Sequence, residues 1–225
     1  MLLQEVRKAL RAVADPARAP AMQAYMKSAM PYHGVSAPLL RQACKRAFAD
    51  LEFSSAALWQ SQVRELWHGA RFREERYAAQ YLAGDKRALP FQKPAALELY
   101  EEMIVSGAWW DHVDDLASHR VGGLLREHPV PLRRAMLAWS TSDNLWKRRT
   151  AIICQLGFKE QTDLELLYAC IAPSLDSREF FLRKAIGWAL RQYAWTDGDE
   201  IRRYVRRHAT RLSPLSRREA LKNLA

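Results

Sequence analysis

The sequence has little cysteine and little glycine, and it lacks any long apolar run. Cys44, Cys154 and Cys170 are odd in number and widely spaced, and no CxxC pair occurs. That excludes a disulfide framework and gives no structural zinc spacing, so each is expected to be a small buried apolar side chain. No apolar stretch approaches the roughly 20 residues needed to cross a bilayer. Met1 to Glu5 has no signal-peptide layout, so a soluble cytoplasmic protein with no membrane role is expected. With only 9 Gly and 10 Pro and no low-complexity tract, disorder is not expected. Familiar catalytic signatures are missing as well: GxSxG, HExxH, a Gly-rich phosphate loop and a metal-spaced His/Cys set. The six histidines are scattered, and neither a metal nor a cofactor is expected.

What is present is positive charge. The 225 residues carry 35 Lys+Arg against 25 Asp+Glu, a formal charge of +10. That excess argues for a polyanionic partner, with nucleic acid first and an acidic membrane surface second. Nearly half the residues are hydrophobic (49%), enough to bury a real core. The chain is read as a single domain, 1–225.

The periodicity is helical throughout. Leu3, Val6, Leu10 and Val13 follow the 3.6-residue period. Pro and Gly punctuate the rest into about a dozen helices joined by short loops, with no period-2 alternation. Ser142 or Asp143 is expected to cap a helix over 144–156. Asp176-Ser177-Arg178-Glu179 and Ser216-Arg217-Arg218-Glu219 have capping-box spacing and are expected to open helices. Gly122-Gly123 is expected to separate two short helical pieces. The class is all-α.

A helix-pair repeat underlies this. Aligned segments lead with Arg76, Asp114, Arg149 and Lys184, in steps of 38, 35 and 35 residues. That is near the period of two-helix solenoid repeats of the HEAT type. Equivalent positions in such repeats line one concave face, so these four side chains would lie in a row on a basic concave surface. Trp110 stands one turn before Asp114, and Trp188 one turn after Lys184.

The stretch Trp109-Trp110-Asp111-His112-Val113-Asp114-Asp115 puts two indoles and three carboxylates in seven residues. Trp110 and Asp114, at i and i+4, share a helix face and would suit a planar cation. The competing reading is a core helix with acids near its positive N-terminal end. A carboxylate beside Arg149 is expected to have a lowered pKa and to stay ionised. An ionised Asp can stabilise an oxocarbenium-like state and orient water, as glycosidic cleavage requires. Arg149 and other cations would hold phosphates, while Trp110 and Trp188 stack on a sugar or base.

Several runs carry a family likeness: Trp109 to Asp114, Ser142 to Arg149, Glu179 to Trp188, Gly34 to Pro38, Arg64 to Trp67 and Pro214 to Ala220. With Tyr25-Met26-Lys27 they cover nearly the whole chain, in order. The sequence resembles the AlkD-type DNA alkylation-repair glycosylases. The resemblance implies a HEAT-like α-solenoid that grips duplex DNA on a concave, basic face. It also implies hydrolysis of the N-glycosidic bond of cationic N3- and N7-alkylpurines (3-methyladenine and 7-methylguanine) without deep base flipping. On the family pattern Asp114 is the catalytic carboxylate, Trp110 and Trp188 are aromatic walls, and Arg149 is a phosphate-binding cation. Ser36 and Ala37 depart from the larger polar residues that relatives often carry there, which leaves no evident DNA contact in that loop.

Other positions stay open between two roles. Tyr25 is a DNA-backbone donor or a packing residue. Arg41 and Lys45, at i and i+4, meet phosphates or form a solvated face. Arg202, Arg203, Arg206 and Arg207 widen a DNA footprint or serve solubility. Trp67, Trp139 and Trp146 are read as filler between helices. The expectation is a monofunctional, monomeric hydrolase acting on double-stranded DNA. The alternatives are a non-catalytic HEAT scaffold for damaged, branched or single-stranded DNA, and a protein-binding solenoid.

Overall fold

The structure is a computed structural model and describes residues 1–224. It is all-α and of the helical-repeat class, with fourteen α-helices and no strand among the described residues. The chain divides into two compact units, Met1–Gln92 and Lys93–Ala225.

The first unit holds α1 (Leu2–Arg11), α2 (Ala19–Met26), α3 (Ala37–Ala47), α4 (Ala56–Gly69) and α5 (Arg73–Ala83). Ser55 caps α4 by accepting the Leu58 N–H. Trp59, Val63, Leu66 and Trp67 then form its buried stripe. The unit also buries two carboxylates of α5. Glu74 accepts the backbone N–H groups of His33, Gly34 and Val35 at 3.0, 3.0 and 3.1 Å. Glu75 accepts from Arg7 Nε at 3.1 Å and from the Arg71 N–H at 2.7 Å. Burial opposes ionisation of Glu75, but hydrogen bonds from His33, Arg71 and Arg7 outweigh it and bring its pKa to about 2. Gly34 has φ +80, and a Cβ there would lie 1.9 Å from the Asp15 carbonyl oxygen. Only glycine fits this turn.

The second unit holds α6 (Leu97–Gly107), α7 (Trp110–Asp115), α8 (Gly122–Glu127), α9 (Pro129–Ser140), α10 (Leu145–Ile153), α11 (Leu164–Ile171), α12 (Phe180–Tyr193), α13 (Gly198–Arg207) and α14 (Pro214–Leu221). Its core is Ile152 and Ile153 of α10 against Leu182, Ile186 and Leu190 of α12, with Tyr204 of α13. Helix α12 is central and packs on both α10 and α14.

Four local expectations are corrected. Asn144, not Ser142 or Asp143, caps α10, because its Oδ1 accepts both the Trp146 and Lys147 N–H groups. Helix α12 starts at Phe180 with Glu179 at its N-cap position, three residues later than its capping-box spacing suggests. Asp176 is drawn instead into an ion pair with Arg211. Ser213 caps α14, so Ser216 and Glu219 lie inside that helix. Gly122-Gly123 breaks nothing, since helical structure runs from Trp110 to Glu127 with Leu116–Val121 as a π-helical segment. All three cysteines are free and buried. Burial pushes Cys44 and Cys170 up to about 12, so neither is a thiolate at neutral pH.

Candidate active site

Three repeats of the second unit meet at their amino-terminal ends. Trp109 precedes α7, Trp146 lies in the first turn of α10, and Phe181 in the first turn of α12. Their rings pack together, with centroids 5.0 to 6.2 Å apart. Aromatic packing of this kind fixes three helix ends against one another. Each of these helices then carries one candidate residue inward: Asp114 on α7, Arg149 on α10 and Trp188 on α12.

Asp114 and Arg149 form a two-pronged pair. Arg149 Nε donates to Asp114 Oδ1 at 2.7 Å, and Nη2 donates to Oδ2 at 2.8 Å. The third nitrogen, Nη1, donates to the Phe181 carbonyl oxygen at 2.6 Å. The Arg149 side chain is 4% exposed and that of Asp114 is 16% exposed. Fork-to-carboxylate geometry fixes the plane of the carboxylate as well as its charge. Two expectations change as a result. Arg149 spends all three nitrogens inside the protein, so here it holds Asp114 rather than standing open for a phosphate. Burial pushes the Asp114 carboxyl above the usual aspartate range; Arg149 opposes this, and Asp111 adds to it. The sequence expectation counted the guanidinium but not the desolvation, which has the larger effect.

Asp114 opens onto a cleft of about 470 Å³, lined also by Asp115, Ser118, His119, Leu156, Gly157, Trp188 and Gln192. The structure thus brings Asp114 and Trp188 to one cleft. Trp110 is half-buried one turn before Asp114 and is not among the lining residues. The π-helical segment contributes Ser118 and His119 to the cleft. Such segments insert an extra residue per turn and are frequent at functional sites. Within it, Ser118 Oγ donates to the Asp114 carbonyl oxygen at 2.6 Å, and His119 Nδ1 lies 3.0 Å from Asp115 Oδ1. Sequence reading missed His119. The signal was there, since Asp115 and His119 are i and i+4.

Trp188 is held from behind. A Cβ on Gly187 would lie 2.5 Å from Glu219 Cβ and 2.9 Å from the Ser216 carbonyl oxygen, so glycine lets α14 press against α12. Glu219 of α14 then accepts from Lys184 Nζ and Arg191 Nη1, both at 2.7 Å. Lys184, expected on a DNA-facing row, is therefore ion-paired in this structure.

The remaining candidates belong to the first unit or to α13. Tyr25 is 77% exposed, with no core to serve. Arg41 and Lys45 are both exposed, and with Tyr81 and Arg87 they line an open cleft of about 440 Å³. The Arg76 guanidinium carbon lies 4.8 Å from the Trp67 ring centroid. Arg202 and Arg203 are paired with Asp199 and Glu200, whereas Arg206 and Arg207 are exposed. Trp67, Trp139 and Trp146 are buried, as filler between helices should be. Among the described residues no group of His, Cys, Asp and Glu could hold a metal ion, and no helix is long and apolar enough to cross a membrane.

Fold and site together define a basic, helical-repeat protein with a largely buried, arginine-held carboxylate on a cleft walled in part by Trp188. The model of one protein family, described as DNA alkylation repair enzyme, matches residues 6–224. The chain belongs to that family, whose role is DNA alkylation repair and whose partner is DNA. It is also similar to a solved structure described as a predicted DNA alkylation repair enzyme from Enterococcus faecalis. The two share 29% identity at a TM-score of 0.85, over 94% of this chain and 97% of that one. No curated protein matches the chain.

Proposed function

We propose that the protein is a monofunctional, monomeric DNA glycosylase that hydrolyses the N-glycosidic bond of cationic N3- and N7-alkylpurines in duplex DNA. No cofactor is needed. The observation that carries the reading is the Asp114–Arg149 pair, which holds a carboxylate in fixed orientation on the wall of a cleft shared with Trp188.

As the C1′–N bond breaks, its electron pair leaves with the base, and C1′ becomes oxocarbenium-like. An alkylated purine is already cationic, so it departs neutral and needs no proton. The ionised Asp114 stabilises the positive sugar and takes the proton of the water that adds to C1′. Trp188 offers a π face to the sugar or base, and Trp110, half-buried one turn before Asp114 and outside the cleft lining, is assigned the second aromatic contact, made once DNA is bound. The cleft is open, which favours a lesion handled at the duplex surface over one drawn into a deep pocket. Arg149 acts here as the positioning residue for Asp114. Tyr25, Arg41, Lys45, Arg76 and Lys184 are proposed for the DNA backbone, Lys184 by exchanging Glu219 for a phosphate.

The test is release of free base from a duplex carrying a single 7-methylguanine, under single-turnover conditions. Wild type should release the base. Asp114→Asn should bind the same duplex and release none. If both bind and neither releases base, the protein is a DNA-binding scaffold and not a glycosylase.

A further inference from the structure

We propose that His119, tethered by Asp115, is the phosphate ligand at the lip of the Asp114 cleft, contacting the DNA backbone at the lesion through Nε2. This deepens the glycosylase reading and rests on that site being where DNA docks.

The cleft is built from carboxylates and neutral side chains, yet its ligand is a polyanion. Of the residues lining it, His119 alone can become a cation. Arg149 does not serve, because its side chain is 4% exposed and its nitrogens donate to Asp114 and Phe181. A nucleotide whose C1′ sits at Asp114 must still place a phosphate close by, and that phosphate needs a donor.

The geometry prepares His119 for this. Its Nδ1 lies 3.0 Å from Asp115 Oδ1 and 3.2 Å from the Asp115 carbonyl oxygen. Both are acceptors, so Nδ1 carries a proton and donates, leaving Nε2 for a ligand. The π-helical turn brings this imidazole to the same cleft as Asp114, five residues earlier. The side chain is 64% exposed and meets ligand without rearrangement of the core.

The surroundings favour the imidazolium. The hydrogen bond to Asp115 raises the His119 pKa above the ordinary histidine value, with burial and Arg120 working against it. Asp114 and Asp111 lie on α7, and Asp114 is paired with Arg149 of α10. Helix α12 and the Leu156–Gly157 turn present Trp188, Gln192 and no charge to the cleft. The buried side chains of α6 and α8 carry no charge, and Arg126 of α8 donates to the Gly157 carbonyl oxygen. The contact is therefore a pH-gated one, made by the protonated ring and lost as pH rises through its pKa.

The test uses the whole chain and a duplex carrying a tetrahydrofuran abasic analogue, so no chemistry intervenes. Affinity is measured against salt at about pH 5.5 and about pH 8.5, either side of the histidine range. For wild type, the slope of log K against log salt should be steeper at the acid pH by about 0.9, the value of one phosphate contact. His119→Gln, an exposed substitution, should abolish that difference. Asp115→Asn should move the midpoint to lower pH. A slope difference that survives in His119→Gln, or is absent from wild type, overturns the proposal. If the slopes behave as expected but wild type releases no base from 7-methylguanine DNA, the phosphate contact stands and the glycosylase reading falls.

Discussion

Arg149 holds Asp114 by two hydrogen bonds of 2.7 and 2.8 Å, and the two residues are 35 positions apart. The same spacing recurs at Lys184 and Glu219, paired at 2.7 Å. One helical-repeat step thus places a cation of one repeat beside a carboxylate of a neighbouring repeat. The first pair is buried and lies on the cleft, and the second is more exposed and braces the helix that carries Trp188.

Removing one partner of the buried pair should be worse than weakening it. Arg149→Met leaves the Asp114 carboxylate buried without its counter-charge and should cost about 3–5 kcal/mol of stability by denaturant unfolding. Arg149→Lys keeps the charge but loses the fork. It should stay folded and bind DNA, with single-turnover base release slowed on the order of 100-fold, because orientation is what is lost. Equal rates for Arg149→Lys and wild type would remove Arg149 from the mechanism.

The raised pKa of Asp114 sets the acid limb of activity. The reaction uses the carboxylate, so the rate falls as pH drops through the folded-state pKa. That limb should lie above the ordinary aspartate value. The stability linkage has its own sign. A folded pKa above the unfolded one means that the native state binds the proton more tightly, so protonation of Asp114 favours folding. Base-release rates across acid pH, beside a parallel unfolding series, separate the two effects.

Glu75 has the opposite sign. Its folded pKa of about 2 lies below the unfolded value, so it stabilises the protein above the ordinary glutamate range. That contribution, on the order of a few kcal/mol, should be lost as pH falls from the ordinary glutamate value through about 2. Glu75→Gln should be less stable at neutral pH and show a flatter acid profile in urea melts. A profile parallel to wild type would mean that Arg7 and the Arg71 N–H contribute nothing net.

Gly187→Ala tests whether the α12–α14 contact positions Trp188. The added methyl meets Glu219 Cβ and the Ser216 carbonyl, so α14 must shift. Overpacking of this kind should cost about 1–3 kcal/mol. The test is the rate of base release under conditions where the variant remains fully folded. A reduced rate there places the contact in the support of the cleft, whereas an unchanged rate makes it purely structural.

Much of this protein was legible in its sequence. Helical periodicity and absent strand alternation led to the all-α class, because burying one face of a helix requires apolar residues at a fixed period. The 35-residue step marked Asp114, Arg149 and Lys184, with Trp188 one turn beyond Lys184, and a two-helix repeat returns equivalent positions to neighbouring places. Capping was read less well at Asp176 and Ser216. Local spacing cannot register that Arg211 draws Asp176 away, or that Ser213 and Pro214 open α14 earlier. The π-helical turn was not legible either, since a single extra residue leaves no pattern.

The sequence by itself determined which chemistry was available: one carboxylate among indoles and cations, on helices of a strongly basic chain. Tertiary structure alone decided what each group does. It turned Arg149 inward onto Asp114, desolvated that carboxylate until burial outweighed its partner, paired Lys184 with Glu219, and brought His119 to the cleft. Composition and period depend on residue type and spacing, which the sequence states outright. Desolvation and ion pairing depend on distances between residues some thirty positions apart, which exist only after the repeats have packed.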